Sequence, residues 1–485
     1  MKPLLTLLVL PICGALVIAV ASRRFTHPLA IGSALITLGT ALWVTGLFSA
    51  SLVGPQLLEK TLWRPQSGSS FALGVDGISL PMVLLAALLS LVAILASGRV
   101  QKRVKIYFIS LLLLESAMFG VFMAWDWSIF YIFWELTLLP LFFLINGFGG
   151  KERNRAALNF VLYTMGGSVF LLIGLLLAYD ASQQHSFFMS EMSAGLRGLG
   201  REQQVVIFLG FLIGFGVKMP IFPLHGWLPL AHVEAPSAVS ILLSGVLLKM
   251  GSYGLVRIAM MLPDAVVALQ GVLVALAVVN LVHGGVLAWQ QRDLKRMIAY
   301  SSVSHMGVVL LGIAALNQAG ITGAMLQMVA HGVTAAAMFL AIALLYERTH
   351  TRDLRDYGSL TRIAPHFSFF VAVAFMAAVG VPGTAGFMAE LHVLYAGLQR
   401  WGWVALVLTL AMLVSAAYAL RTVGCLCTGP EQPRLGVLTP MAPVERVAVG
   451  LLTVAIVFLG LVPGPLLALM RATLVHFGDL FAGRL

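Results

Sequence analysis

Apolar runs of about 20 residues alternate with short polar segments along almost the whole chain. A helix needs roughly 20 apolar residues to cross a bilayer, so each run predicts one membrane span. We predict about fourteen spans from this pattern. They lie near residues 3–21, 29–49, 77–97, 105–124, 127–147, 156–179, 204–229, 236–261, 265–289, 297–316, 318–346, 366–399, 401–424 and 443–470.

Proline and glycine interrupt two of these runs. The seventh run contains the segment 217–223, and the twelfth contains the segment 380–386. Matched broken helices in two halves are typical of transporters with inverted repeats, whose transport site lies at the break. An offset of five spans is odd, so the second copy would lie inverted in the membrane.

The pattern therefore predicts an all-α membrane protein with two inverted five-helix repeats, each containing a broken helix. The loops near 50–76 and 180–203 are too short to hold a soluble domain. The expected units are an N-terminal group of three helices in 1–100, the first repeat in 101–262, the second repeat in 263–426 and a C-terminal transmembrane helix in 427–485.

Composition agrees with this picture. Apolar and aromatic residues make up 60% of the chain and charged residues only 10%, against about 25% charged in a typical soluble domain. A soluble enzyme, a secreted disulfide scaffold and a nucleic-acid binder are excluded. The net charge of +11 does not favour a nucleic-acid partner, because the basic residues lie in short loops and form no patch. Cys13, Cys425 and Cys427 have neither a disulfide nor a metal-site spacing.

The loop charges predict the orientation. Cytoplasmic loops are enriched in Lys and Arg, and most of these residues fall in the odd-numbered loops, whereas Arg257 is assigned to an even-numbered one. We therefore expect odd loops in the cytoplasm and both termini outside. The first run could pass for a signal peptide, but Arg23 and Arg24 follow it at once and favour a retained span.

Charges within the spans point to function, because a charge at mid-bilayer costs at least ~2.5–3.5 kcal/mol. Glu135 lies among aromatic residues, and Lys218 lies just before Pro220, where a broken helix leaves free carbonyls. Burial disfavours a charged lysine and a nearby carboxylate favours it. We predict that Glu135 controls the protonation of Lys218; the alternative is a static ion pair.

Lys249 has no acidic neighbour within a helical turn and lies mid-span, which predicts a proton carrier rather than a snorkelling residue. Glu390 follows the second break and is predicted to act in proton release or relay. Glu115 is a weaker candidate for a relay, because it has no clear partner in the sequence.

Histidines extend the set of candidates. His305 and His331 lie on narrow polar stripes of otherwise apolar helices and are predicted relay residues, although a lone buried histidine is often structural. His225 and His232 flank the loop after the first break and are possible relay residues, with His283 a lesser one. No cofactor-binding fingerprint, metal-ligand spacing or carboxylate cage for sodium is present, so protons are the expected ion.

Several motifs resemble the antiporter-like subunits of proton-pumping NADH:quinone oxidoreductase, and most narrowly the subunit M (chain 4) branch. The resemblance covers nearly the whole chain. The motifs are Phe-Trp-Glu at 133–135, Val-Lys-Met-Pro at 217–220, Pro-Leu-His-Gly-Trp-Leu-Pro at 223–229, Ala-His-Val-Glu-Ala-Pro at 231–236, Leu-Leu-Lys-Met-Gly at 247–251, Ala-Tyr-Ser-Ser-Val-Ser-His-Met-Gly at 299–307 and Tyr-Glu-Arg-Thr-His-Thr-Arg-Asp at 346–353.

The resemblance implies roles for the buried groups. Glu135 and Lys218 would form a switching ion pair, Lys249 would be the central carrier, and Glu390 the terminal group of the second half-channel. His305 and His331 would continue the hydrophilic axis between them. Glutamate at 390 favours subunit M over the sister subunits L and N.

The resemblance also implies which cofactors, partner subunits and membrane belong to the complex. The chain would hold no redox cofactor, and NADH, FMN, iron–sulphur clusters and quinone would bind in partner subunits. Partners would be the other membrane subunits, especially L and N, together with the lipid of a bacterial cytoplasmic membrane. Leu230 departs from many respiratory members and matches some membrane-bound hydrogenase relatives. A hydrogenase or cation/proton antiporter subunit, and a non-conducting structural anchor, therefore stay open as alternatives.

Overall fold

The computed structural model describes residues 2–430, 432 and 438–484. Within these residues, 12 helices are long and apolar enough to cross a membrane, and the shorter apolar helices Ser79–Leu95 and Pro365–Val379 accompany them. The predicted class of helical membrane protein is thereby confirmed. The division into repeats and terminal units stays a prediction, and residues 431, 433–437 and 485 of the last unit lie outside the described residues.

The helices follow the predicted runs closely up to the last one. Those of the first half are α1 (Pro3–Val20), α2 (Thr26–Leu47), α3 (Ser79–Leu95), α4 (Val104–Met123), α5 (Trp127–Leu136), α6 (Leu138–Phe148), α7 (Arg153–Ala181), α8 (Met189–Leu196), α9 (Arg201–Lys218), α10 (Trp227–Glu234), α11 (Ser237–Leu242) and α12 (Leu248–Met261). Those of the second half are α13 (Pro263–Ala268), α14 (Gln270–Gln290), α15 (Leu294–Ala314), α16 (Gln318–Thr349), α17 (Leu360–Ile363), α18 (Pro365–Val379), α19 (Ala385–Trp401), α20 (Trp403–Cys427), α21 (Pro443–Leu461) and α22 (Gly464–Ala482).

One part of the structure is not helical. Strands β1 (Gln56–Arg64) and β2 (Ser69–Val75) form an antiparallel hairpin in the predicted loop between the second and third spans. Asp126 fastens the hairpin to the helices, because its carboxylate accepts hydrogen bonds from Ser70 and from the first backbone N–H groups of α5. We call the membrane face that carries this hairpin the hairpin face.

The first predicted break lies between α9 and α10. Its free backbone groups are satisfied by Asn280 of α14, whose Nδ2 donates to the Pro220 carbonyl (3.2 Å) and whose Oδ1 accepts from the Phe222 N–H (2.7 Å). Trp227 Nε1 also donates to the Val217 carbonyl (2.8 Å). Such partners let irregular backbone persist at membrane depth.

The second predicted break lies between α18 and α19. Gly380 ends α18 with φ +74°, a left-handed conformation that glycine adopts without steric cost. A Cβ there would lie 2.5 Å from Glu390 Oε2. The break therefore brings backbone directly against the Glu390 carboxyl group.

The last predicted span, 443–470, begins where expected, but its end at residue 470 is wrong. Helix α21 ends at Leu461, and α22 begins at Gly464, because Pro463 and Pro465 disrupt a continuous helix. Helix α22 packs near Gly77, just before α3, and near Gln318, the first residue of α16. Since both are span ends at the hairpin face, α22 runs along that face.

The most enclosed part of the fold is its centre. The spans formed by α11–α12 and by α16 are buried along their whole apolar stretch, and α15 is almost as enclosed. Most other spans expose apolar side chains on one side. A polar side chain on α12, α15 or α16 therefore meets other helices rather than lipid.

Candidate functional site

The three central helices carry three of the predicted relay residues. Lys249 of α12, His305 of α15 and His331 of α16 are all buried. Burying a lysine among apolar side chains is energetically costly unless other polar groups form hydrogen bonds with it. The structure brings these three residues into one polar cluster.

Lys249 follows a π-helical turn, Leu243–Leu247. Turns of this kind disturb the regular helix ladder and are frequent at functional sites. Lys249 Nζ donates to the Ser244 carbonyl at 2.6 Å and lies 2.6 Å from His331 Nδ1. The lysine and the histidine are thus within proton-transfer distance of each other.

The cluster continues to Glu390. The rings of His331 and His305 are 5.3 Å apart between centroids. His305 Nδ1 lies 3.7 Å from Glu390 Oε1 and 3.2 Å from Gln327 Nε2. The order Lys249, His331, His305, Glu390 is a line of ionisable groups across the second half of the fold, which we call the central axis.

Several polar atoms along the central axis have no hydrogen-bond partner within the part of the chain that the structure describes. They include the Nε2 atoms of His305 and His331 and Oε2 of Glu390. Buried polar atoms are normally satisfied by protein groups or by ordered water. These atoms are therefore available to water or to a moving proton.

Lys218 is also buried, at the end of α9. Its Nζ donates to Thr137 Oγ1 (3.0 Å) and the Trp134 carbonyl (3.3 Å), and it lies 3.8 Å from the centre of the Trp134 ring. The junction between α5 and α6 at Thr137 supplies both acceptors. Lys218 is therefore held by neutral groups and by a cation–π contact.

The expected contact between Glu135 and Lys218 is not formed. No ion pair among the described residues joins them; Glu135 Oε1 has no hydrogen-bond partner. Glu135 lies beside Leu136 and Leu139 in an outward-facing pocket of 600 Å³. Successive helical residues point about 100° apart, so Trp134 faces Lys218 while Glu135 turns outward. The switching role of the pair stays a prediction.

Glu115 of α4 is fully buried, and neither carboxylate oxygen has a hydrogen-bond partner among the residues that the structure describes. No described contact joins it to the central axis. A relay role for Glu115 stays a prediction.

Within the described residues, the histidines after the first break form no side-chain hydrogen bond with the central axis. His225 is 5.4 Å from His283 and 5.8 Å from Phe222 between ring centroids. His232 is fully buried and stacks on Phe339 at 4.6 Å, and neither of its ring nitrogens has a hydrogen-bond partner in the described ranges. The structure pairs His225 with His283, a contact that spacing along the chain does not reveal.

A polar vestibule opens on the face opposite the hairpin. It is a cavity of 910 Å³ whose charged lining includes Lys151, Glu234, Lys295, Arg352 and Asp353. Lys295 donates to the Ala235 carbonyl (2.8 Å) and Arg352 to the Val233 carbonyl (2.7 Å). These two bonds fix the C-terminal end of α10.

The loop beside this vestibule keeps its charge. Arg355 donates hydrogen bonds to Asp353, which lowers the pKa of the Asp353 carboxyl to about 2. A lowered pKa means that the carboxylate stays ionised in mild acid and is protonated only as the pH falls through that value. The vestibule rim is therefore charged across the physiological range.

The predicted assignment of Arg257 to a loop is wrong. It lies buried within α12 rather than in a loop, and its guanidinium donates to both oxygens of Asp76 at 2.6 and 2.8 Å. Asp76 Oδ1 also accepts from the backbone N–H groups of Ile78 and Ser79 at the start of α3. The partners are far apart in the chain, so only the fold reveals this pair.

A family model described as NADH:quinone oxidoreductase/Mrp antiporter, TM matches residues 124–415. The chain is 46% identical over 341 residues to NAD(P)H-quinone oxidoreductase chain 4 2 of Microcystis aeruginosa, which covers 70% of this chain and 61% of that relative. It is 41% identical over 396 residues to NAD(P)H-quinone oxidoreductase chain 4-2 of Synechocystis sp., covering 80% and 70% respectively. The match thus spans about three fifths of the length of the Microcystis chain.

Solved structures show the same fold. A chain of respiratory complex I from Thermus thermophilus with bound NADH gives a TM-score of 0.90 at 29% identity, covering 99% of this chain and 100% of that chain. A chain of the Mrp complex from Dietzia sp. DQ12-45-1b gives 0.86 at 21% identity, covering 99% and 56%. The second likeness is one of fold alone.

Proposed function

The chain belongs to the NADH:quinone oxidoreductase/Mrp antiporter transmembrane family, and from this premise we propose that it is a proton-translocating membrane subunit of an NADH:quinone oxidoreductase. The relatives named chain 4 and the likeness to a complex I chain support this assignment. The redox groups, namely NADH, FMN, iron–sulphur clusters and quinone, would be held by partner subunits. Redox energy would then reach this chain through its neighbours.

The observation that carries the proposal is the central axis. Lys249, His331, His305 and Glu390 form an unbroken sequence of buried ionisable groups. Each can bind one proton and pass it on, with water bridging the longer gaps. The axis conducts protons from the middle of the fold toward the second break.

Lys218 would feed the central axis. Helix α9 and helix α12 are in backbone contact, because a Cβ on Gly251 would lie 2.6 Å from the Phe215 carbonyl oxygen. Lys218 and Lys249 thus lie on adjoining helices. Movement of Glu135 toward Lys218 would favour its charged form, and movement away would release the proton.

Partners and location belong to the same proposal. The outward-facing apolar side chains suit lipid and neighbouring membrane subunits, and the sister subunits L and N are the expected neighbours. The chain would lie in a bacterial cytoplasmic membrane with both termini outside, as the loop charges indicate.

The test replaces Lys218 by Ala in the assembled complex, reconstituted in vesicles. We expect NADH-driven acidification to be lost, since the first proton carrier is gone; Glu135→Ala should lower it as well. Lys102→Ala, in an exposed loop, is the matched control and should pump normally. Full pumping by the Lys218→Ala complex contradicts the proposal.

A cation/proton antiporter subunit is the alternative with the same family membership. Sodium-dependent proton movement without NADH would favour it. A structural anchor would instead keep full proton pumping after Lys249→Ala. The neighbouring genes would identify the parent complex, including a hydrogenase of the kind that Leu230 suggests.

A further inference from the structure

An aromatic column fills the space between Lys218 and the hairpin face. We give this name to Trp127, Phe130 and Trp134 of α5, Phe211 and Phe215 of α9, and Tyr253 of α12. Each of the six side chains is at most 2% exposed. Apart from the contact of Trp134 with Lys218, the proposed proton path makes no use of them.

The rings form a continuous stack. Ring centroids are 5.2 Å apart for Trp127 and Phe130, 6.0 Å for Phe130 and Phe215, and 5.5 Å for Phe215 and Trp134. Phe130 also stacks on Tyr253 at 6.5 Å. Distances in this range are those of aromatic pairs in direct contact.

The stack has a clear direction. Trp127 begins α5 next to Asp126, the residue that holds the hairpin. At the other end, Trp134 carries the Lys218 ammonium 3.8 Å above its ring. The aromatic column therefore occupies the route from Lys218 to the hairpin face.

The column offers few polar groups to a proton. Tyr253 directs its hydroxyl hydrogen to the Phe122 carbonyl (3.2 Å), and Trp134 Nε1 donates to Ser168 (3.0 Å). Trp127 Nε1 has no protein partner within the described residues. Proton conduction needs a chain of water or ionisable groups, and a tightly packed apolar constriction excludes water.

Arg257 closes the outer end of the column. Its guanidinium lies 4.7 Å from the Trp125 ring and 4.9 Å from the Tyr253 ring, and Nε donates to the Tyr253 hydroxyl (3.0 Å). Asp76 holds it from the other side. Arginine stays protonated in proteins, so the paired guanidinium neither accepts nor releases a proton and cannot relay one.

We propose that the aromatic column, capped by the Arg257–Asp76 pair, is a proton seal that prevents Lys218 from exchanging protons with the hairpin face. This inference rests on the proposed function, because a seal matters only if Lys218 carries protons. With this route closed, a proton on Lys218 proceeds to Lys249 and the central axis. The seal thereby makes transport through the second half obligatory.

The test measures passive proton leak in vesicles containing the assembled complex, with an imposed pH difference and no NADH. Phe130→Ala opens the middle of the column without touching Lys218, and we expect a several-fold faster leak. NADH oxidation should continue while the NADH-driven pH difference falls. Phe130→Leu, which keeps most of the volume, should leak less, and Phe458→Ala, on the exposed side of α21, should not leak.

Two further variants separate the possible outcomes. In the Phe130→Ala background, Lys218→Ala should abolish the added leak; a leak that persists overturns the proposal, as does an unchanged leak in Phe130→Ala. If Lys218→Ala alone still pumps fully, the proposed function fails whatever the leak shows. If Phe130→Ala does not assemble, the double variant Asp76→Asn, Arg257→Gln removes the cap without stranding a charge, and a leak no faster than wild type overturns the seal.

Discussion

At the scale of single residues, the contact between Lys249 and His331 has the strongest consequence. Two groups 2.6 Å apart in a buried site share a hydrogen bond. Their repulsion is weakly screened there and disfavours a state in which both hold positive charge. A proton arriving on one therefore favours its loss from the other. This coupling is what a relay requires.

Two substitutions test whether His331 transfers protons or serves only as a hydrogen-bond partner of Lys249. His331→Leu removes both the acceptor and the titratable group, whereas His331→Gln keeps an amide that can accept from Lys249. A relay predicts that both complexes lose most NADH-driven acidification in vesicles. His366→Leu, an exposed histidine, is the control. Normal pumping in His331→Gln would assign His331 a purely structural part.

Glu390 gives a second prediction at this scale. Glu390→Gln keeps the size of the side chain but cannot release a proton, so we expect a large loss of proton pumping per NADH oxidised. Glu390→Asp retains the carboxyl group and should pump partially. Glu202→Gln, at the exposed start of α9, should have no effect. The ratio of protons moved to NADH oxidised distinguishes these cases.

At the scale of elements, the broken helices depend on side chains from neighbouring helices. Asn280 of α14 satisfies one carbonyl and one N–H of the first break. Gly380 lets the second break approach Glu390. Each break is thus held in a particular shape by a residue that is remote in sequence or sterically small.

Removing Asn280 should loosen the first break. Asn280→Leu leaves the Pro220 carbonyl and the Phe222 N–H unpaired, and an unpaired buried group costs about 1–3 kcal/mol. We expect faster amide hydrogen exchange at 219–226, measured by mass spectrometry, and reduced pumping. Asn154→Leu, exposed on α7, is the control. Unchanged exchange would show that Asn280 does not hold the break.

At the scale of the whole molecule, an ion cluster ties distant elements at the face opposite the hairpin. Glu445 of α21 accepts from Arg348 of α16 at 2.5 Å and lies 3.1 Å from Arg99, between α3 and α4. Arg99 also pairs with Glu347 at 3.4 Å. The cluster thereby joins the C-terminal span to the centre and to the N-terminal helices.

Breaking this cluster should destabilise the fold. Glu445→Ala strands the largely buried Arg348 charge, and losing one partner of a buried pair costs about 3–5 kcal/mol. We expect less of the chain in the assembled complex on a native gel and a lower melting temperature. Asp180→Ala, on an exposed part of α7, should leave both unchanged. Normal assembly of the Glu445→Ala chain would contradict this role.

A feature could be predicted from the sequence when its physical cause lies in neighbouring residues. It could not be predicted when its cause is a contact between residues far apart in the chain. The spans were predictable because apolar length alone favours the bilayer, and the breaks because proline and glycine act on their own turn. The hairpin at 56–75 and helix α22 were missed, because their stability comes from contacts such as Asp126 with Ser70 and Gly77 with Thr473.

The sequence by itself determined the membrane class, both breaks and the buried charges Lys218, Lys249 and Glu390, since each depends on the local cost of placing a residue in lipid. Only the tertiary structure decided which group each charge meets. It joined Lys249 to His331 and Arg257 to Asp76, and among the described residues it formed no ion pair between Glu135 and Lys218. The physical reason is that contacts depend on the rotation of each helix about its axis and on its neighbours, and these are set by packing of the whole molecule.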